Sequence, residues 1–149
     1  IRQVDDLRDL RLLGNFLHNH ELGYPRYDEW IDCTCIPEIE SGYKKAVVAR
    51  NNGVIIGDIV WQPHKNIRGV VEPKNLRIHP DSRGRGLAYF LMKQCESESR
   101  KDFSLMMADF PSDEKGINFF LLKYGFSVLY SASLYGDNRL ETIMVKKLC

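Results

Sequence analysis

The 149-residue chain contains no run of 18 apolar residues, so no segment is long enough to span a bilayer as a helix. Its N-terminus lacks the charged, apolar and small-residue layout of a secretory leader. Cysteine is sparse. Cys33, Cys35, Cys95 and Cys149 are too few and too scattered for the disulfide framework of a small secreted protein. Cys33-x-Cys35 lacks metal-ligand spacing, and no second Cys or His pair completes a zinc site, so no metal is expected. Reduced thiols and a cytoplasmic location are the expectation. Excess charge is missing too, since 21 Lys and Arg face 20 Asp and Glu for a net +1. That balance gives no reason to expect nucleic acid as a partner, and no membrane partner is expected. Repeats, low-complexity tracts and long linkers are absent. The sequence opens at Ile1 instead of a methionine, which fits a trimmed chain or a segment of a longer protein.

What is present reads as an ordinary globular chain, 44% hydrophobic and 28% charged. Its length predicts one domain over residues 1–149, large enough to bury a core. Asp5 or Asp6 is placed to cap a helix whose Leu7, Leu10, Leu13, Phe16 and Leu17 recur at helical spacing. A second helical pattern runs from Tyr27 to Ile39, after Gly23-Tyr24-Pro25. Lys45–Arg50 and Val54–Trp61 read as strands joined by Asn52-Gly53, a hairpin signal. Val70–His79, Ser104–Phe110, Phe126–Leu134 and Glu141–Leu148 read as further strands. An amphipathic helix follows residue 86, and a short helix precedes Gly125. Cys95 falls on the apolar stripe of the longer helix and reads as a small buried filler. The layout predicts an α/β fold with a mixed sheet.

The most informative segment is Leu76-Arg77-Ile78-His79-Pro80-Asp81-Ser82-Arg83-Gly84-Arg85-Gly86-Leu87-Ala88: a strand end, a glycine-bearing loop and a helix start. Glycines let the backbone turn sharply and approach a ligand closely. The helix N-terminus aims unpaired N–H groups and a positive dipole end at the loop, making a cradle for phosphate or diphosphate. Two familiar phosphate loops do not fit. Gly86 is followed by Leu87-Ala88, not the Lys-Ser/Thr of a Walker loop, and Tyr89 stands where a dinucleotide fingerprint needs its third glycine. Between His64 and Arg85, six cations (Lys65, Arg68, Lys74, Arg77, Arg83, Arg85) face Glu72 and Asp81. That local net +4 suits a phosphorylated cofactor or simply a solvated surface.

Arg83-x-x-Gly86-x-Ala88, after a strand ending in Ile78-His79-Pro80, resembles the acetyl-coenzyme A loop of the GNAT superfamily of N-acetyltransferases. The resemblance spans roughly residues 43–148 and is sharpest from Glu72 to Glu96. It implies the GNAT fold: a mixed, mostly antiparallel sheet of six to seven strands with about four helices, the first strand shortened to Ile1-Arg2 or lost. It also implies that Val70–His79 and Ser104–Phe110 splay apart to admit the pantetheine arm of acetyl-coenzyme A. By carry-over, the backbone of Leu76, Arg77 and Ile78 orients pantetheine and thioester. The N–H groups of Arg83, Gly84, Arg85, Gly86, Leu87 and Ala88 hold the diphosphate. Asn118 is carried as a further cofactor contact, although the family's asparagine position aligns with Glu114.

Acyl transfer from a thioester to an amine needs a neutral amine, a stabilised oxyanion and a proton for the leaving thiolate. Glu72 matches the general-base glutamate of the histone-acetylating branch. It lies six residues before Ile78, so in a regular strand both side chains share a side, though Pro73 points to a bulge there. Glu72 also reads as a surface carboxylate paired with Lys74 or Arg68, and His64 and His79 are alternative proton carriers. The family's usual acid tyrosine falls at Leu121, which cannot donate a proton. Tyr124 or Tyr135 could supply the acid instead, solvent could protonate the thiolate directly, or the domain could bind acyl-coenzyme A without turnover. Phe119-Phe120 reads as core packing, with one ring free to line the pantetheine channel.

Leu22–Ser41, where the family covers its acceptor site, holds Tyr24, Tyr27, Trp30, Asp28, Glu29, Asp32, Glu38 and Glu40 against one cation, Arg26. Such a lid suits a cationic amine, or it is a solvated acidic face. The resulting expectation is an N-acetyltransferase moving acetyl directly from acetyl-coenzyme A to a primary amine. The alternative is a non-catalytic acyl-coenzyme A sensor. The acceptor and the oligomeric state, a homodimer included, stay open.

Overall fold

A computed structural model describes residues 1–136 and 138–148. Among these residues the order is β1 (Arg2–Gln3), α1 (Leu7–Asn19), α2 (Tyr27–Trp30), a π-helical stretch (Ile31–Cys35), α3 (Ile36–Glu40), β2 (Lys45–Asn51), β3 (Val54–Pro63), β4 (Val70–Ile78), a 3₁₀ turn (Pro80–Ser82), α4 (Leu87–Ser99), β5 (Leu105–Pro111), α5 (Lys115–Tyr124), β6 (Ser127–Ala132) and β7 (Glu141–Lys147). The seven strands form one sheet ordered β1-β2-β3-β4-β5-β7-β6. Only β4 and β5 run parallel among neighbours; the other pairs are antiparallel. No helix among the described residues is long and apolar enough to cross a membrane.

Local chemistry explains the elements. Asp6 caps α1, its carboxylate accepting from the Asp9 N–H at 2.7 Å. Asn52 and Gly53 both sit at positive φ, 51° and 78°, the twist that a two-residue hairpin turn requires. The expected helix over 27–39 forms, but with a π stretch at its centre. The Ile36 N–H reaches back to the Ile31 carbonyl, five residues away. Pro37, which has no N–H to donate, follows directly.

The sheet separates two apolar layers. On one face Leu10, Leu13, Phe16 and Leu17 of α1 and Tyr27, Ile31, Cys35 and Ile39 pack on Ala46, Val48, Ile55 and Val60. On the other, Leu91, Met92 and Cys95 of α4 and Leu121 and Tyr124 of α5 pack on Val47, Ala49, Ile59, Trp61, Met106 and Phe110. Cys95 is fully buried, as its stripe position predicts, and Cys33 and Cys35 are free thiols. Cys149 lies outside the described residues.

Candidate functional site

The site begins where β4 and β5 part. Both Ser104 and Leu105 donate to the Gly69 carbonyl, at 2.9 and 3.2 Å, so the strands start together. They pair only at Val70 with Leu105 and Val71 with Met106. β4 then runs on to Ile78 and β5 to Pro111 without pairing, which opens the expected seam. The β5-facing edge of Leu76, Arg77 and Ile78 is left without a strand partner.

At the end of β4 the chain makes its 3₁₀ turn, where His79 Nδ1 accepts from the Asp81 N–H. Gly84 and Gly86 follow at φ 74° and 77°, a region side chains other than glycine rarely adopt. A Cβ on either would meet no atom within 4 Å, so the space over the loop is open. Gly86 is the N-cap of α4, and no side chain caps this helix. The first intrahelical bond runs from Phe90 to Gly86, so the N–H groups of Leu87, Ala88 and Tyr89 face the loop without intrahelical acceptors. A cavity of about 410 Å³ lies here, lined by Ile78, Ser82, Arg83, Gly84, Gly86, Leu87, Ala88, Tyr89, Phe120, Lys123 and Tyr124. Donors and a positive dipole end against an apolar wall suit a diphosphate joined to an uncharged chain.

Of the expected cofactor residues, Ile78, Arg83, Gly84, Gly86, Leu87 and Ala88 line this cavity, whereas Leu76 and Arg85 do not. Asn118 is not among the cavity's lining; it lies in the second turn of α5. Arg77 turns its side chain to the opposite face, where its guanidinium holds the carbonyls of His20, at 2.7 Å, and Glu21. Tyr89 and Lys123 line the cavity without having been singled out. Lys123 follows Phe120 by three positions, and that helical spacing places both on one face. Phe120 lines the cavity while Phe119 is exposed.

Of the two expected catalytic residues, Glu72 lies on a different face from the one its sequence position predicts, and Tyr124 lines the first cavity with its hydroxyl engaged. Glu72 does not share a side with Ile78. The register shifts between Val60, opposite Asn75, and Trp61, opposite Pro73. Lys74 is the extra residue of a bulge, and alternation reverses across it. Glu72 therefore lies opposite Gln62, on the face carrying α1 and α2, with Gln62 Nε2 donating to it at 3.2 Å. His64 and Lys74 approach it at 3.7 and 3.9 Å.

Tyr124 is buried, and its hydroxyl donates to Glu96 Oε2 at 2.5 Å. Burial and the Glu96 carboxylate raise its pKa above the ordinary phenol value. Its proton is engaged by Glu96, so the side chain tethers α5 to α4. Burial opposes ionisation of Glu96, but hydrogen bonds from Tyr124, Lys146 and Arg100 bring its pKa down to about 2.

A second cavity, of about 470 Å³, opens on the α1–α2 face of the seam. Leu22, Tyr24, Pro25, Arg26, Tyr27 and Trp30 form one side; Pro73, Lys74, Asp109 and Tyr135 form the other. Tyr27 and Trp30 stack with ring centres 5.6 Å apart, and Tyr24 meets Tyr135 edge-on at 5.9 Å. Tyr135 donates to Asp109 Oδ2 at 2.5 Å, and Lys74 lies 3.9 Å from Asp109 Oδ1. The aromatic side chains expected over 22–41 line this cavity, while Glu40 is exposed and the segment's other carboxylates are engaged elsewhere. Asp28 and Asp32 flank His18 at 2.7 and 2.8 Å, Glu29 grips Arg26, and Glu38 pairs with buried Lys44. Asp109 supplies the cavity's carboxylate. Its neighbours Ala108 and Phe110 are buried on the other face, and this alternation was the available sequence signal.

Among the described residues no group of three or more His, Cys, Asp or Glu could hold a metal ion. The family model for the acetyltransferase (GNAT) domain matches residues 42–128. No curated protein matches the chain by sequence. Solved structures share the fold. A protein assigned to the GNAT family from Desulfovibrio desulfuricans is 15% identical, with 99% of this chain and 98% of that chain covered, at TM-score 0.86. The protein yncA of Salmonella typhimurium, solved with its cofactor acetyl-CoA, is 18% identical over 99% of this chain and 94% of its own, at TM-score 0.76. An aminoglycoside 6'-N-acetyltransferase complexed with coenzyme A is 15% identical over 100% and 98%, at TM-score 0.76.

Proposed function

The chain belongs to the GNAT acetyltransferase family, and we propose that it is a single N-acetyltransferase domain, cytoplasmic, that takes acetyl-coenzyme A as co-substrate and passes the acetyl group directly to a primary amine. One observation carries this reading: a strand seam with a donor-lined cradle on one sheet face and a second cavity on the other. A thioester brought along one side and an amine from the other meet at the seam, the positioning that two-substrate transfer needs.

In this reading the N–H groups from Gly84 to Ala88 hold the diphosphate, and Arg83 and Arg85 add charge. The unpaired edge of Leu76–Ile78 aligns the pantetheine arm and supplies N–H donors to the acyl oxygen, where negative charge develops. The amine nitrogen attacks the acyl carbon; the new C–N bond forms and the C–S bond breaks. The ammonium proton leaves through water to Glu72, which Gln62 orients and which lies beside the cavity-lining Lys74. The thiolate takes its proton from solvent, because a thiol of pKa about 8.5 leaves without strong assistance. Transfer is direct in this reading: among the described residues Cys35 and Cys95 are buried, and no cysteine, Cys33 included, lines either cavity.

Calorimetric titration with coenzyme A, paired with acetyl transfer to primary amines, tests the assignment. Wild-type protein is expected to bind and turn over. Gly86→Val forces a β-branched residue into positive φ and is expected to weaken coenzyme A at least about tenfold while the far-ultraviolet spectrum stays folded. Undiminished affinity in that folded variant would sink the assignment.

A further inference from the structure

The second cavity says what kind of amine fits it. Its walls are predominantly carbon: Leu22, Pro25 and Pro73 with the rings of Tyr24, Tyr27, Trp30 and Tyr135. Its charged members are Asp109, Lys74 and Arg26, and Arg26 is already gripped by Glu29 through two hydrogen bonds of 2.6 and 2.5 Å. Asp28 and Asp32 face away toward His18 and Glu38 toward Lys44, and exposed Glu40 is not part of the lining. Asp109 and Lys74, 3.9 Å apart, are therefore the lining charges that remain, and the lining is close to neutral. A polycation entering it would shed water from several charges and find a single carboxylate in the lining, an unfavourable exchange.

The polar and apolar ends are also separated. Asp109, Lys74 and Pro73 lie on the seam strands, where transfer takes place. Tyr24, Tyr27 and Trp30 lie on the lid side. Asp109 Oδ2 accepts from Tyr135, which fixes the carboxylate, while its remaining lone pairs can accept an ammonium N–H. Tyr27 is fixed in turn: its hydroxyl donates to Asn75 at 2.7 Å, and Asn75 donates to buried Asp58 at 2.7 Å. The ring wall is thus pre-set, and little freedom is lost when an apolar group enters.

Resting on the acetyltransferase reading above, we propose that the acceptor is a monoamine on an apolar or aromatic body, its amino group received by Asp109 at the seam and its body packed between Tyr24, Tyr27 and Trp30. Polyamines and aminoglycoside-like polycations are poor acceptors. Asp109 is the residue that sets this preference.

The test compares initial rates for phenethylamine, hexylamine, spermidine and kanamycin with saturating acetyl-coenzyme A. It also follows the fluorescence of Trp30, since the other tryptophan, Trp61, is buried in the core. Expected are kcat/KM values for the two monoamines at least about tenfold above those of the polycations, and a phenethylamine-dependent emission change lost in Trp30→Phe. Asp109→Asn should raise the KM for phenethylamine about tenfold and leave the coenzyme A Kd unchanged. Glu40→Gln, which removes an exposed lid carboxylate, should leave that KM unchanged. Faster acetylation of spermidine or kanamycin overturns the proposal, as does an unchanged KM in folded Asp109→Asn. If coenzyme A binds but no monoamine reacts or perturbs Trp30, the proposal also fails while the cofactor assignment survives. Failure of coenzyme A to bind at all defeats the parent reading instead.

Discussion

At the residue scale, Tyr124 separates a proton donor from a tether. Its hydroxyl ties α5 to Glu96 of α4, and Lys146 of β7 reaches the same oxygen at 3.0 Å. A hydrogen bond to a buried charge contributes about 1.5–3 kcal/mol. Tyr124→Phe is therefore expected to lower unfolding free energy by roughly that amount in denaturant titration. A general acid contributes about a hundredfold or more to turnover. We expect kcat of Tyr124→Phe to stay within about threefold of wild type, and a hundredfold loss would restore the acid role to this residue. The tyrosine was legible as a candidate because it neighbours the family's acid position, now Leu121. Its partner was not legible, since Glu96 lies 28 positions away on another helix.

At the element scale, α2 is fastened to α1 by one imidazole. His18 faces Asp28 through Nδ1 and Asp32 through Nε2, and both nitrogens can donate only when the ring is charged. The hydrogen bonds to Asp32 and Asp28 raise its pKa above the ordinary 6.5. A raised histidine pKa stabilises fully below the unfolded value and loses that contribution as pH rises through the folded value. The melting temperature should accordingly fall between neutral pH and pH 9, by a few degrees, and His18→Ala should flatten that slope. Equal slopes in the two proteins would show that the clamp contributes nothing. Because α2 carries Tyr27 and Trp30, this clamp also holds the wall of the second cavity. The helix was readable from apolar spacing; the destination of its acids was not, because their cation comes from α1.

At the scale of the whole molecule, Asp58 lies at the centre of the sheet, fully buried between β2 and β4. Burial pushes its carboxyl up to about 7, while the Asn75 hydrogen bond and the Arg77 charge lower it only in part. In the unfolded chain the same group ionises near pH 3.9. Between about pH 4 and 7 the unfolded state thus releases a proton that the native state keeps, so stability falls as pH rises through that window. Asp58→Asn keeps an oxygen for Asn75 and removes the ionisation. It is expected to abolish that fall and to raise unfolding free energy at pH 8 by about 1–3 kcal/mol, measured by denaturant titration across pH. A fall of unchanged size in the variant would locate its source elsewhere. Asp58, Asn75 and Tyr27 form one buried hydrogen-bonded chain that ends at the wall of the second cavity.

The sequence alone determined the elements that depend on local conformation. Positive φ at Gly84 and Gly86, the Asn52-Gly53 turn, the Asp6 cap and the apolar stripes are written in residues a few positions apart, where sterics and periodicity act directly. The cradle, and with it the family, followed from them. Tertiary structure decided what depends on pairing between distant strands. The bulge at Lys74 set which face Glu72 occupies, because register is fixed by how β3 and β4 pack, and one extra residue reverses alternation. Asp109, Tyr135 and Lys74 became neighbours only once β4 and β5 parted, and Asp28, Asp32 and Glu38 turned away from the second cavity only when His18 and Lys44 were folded against them. Charge is counted along a chain but neutralised in space.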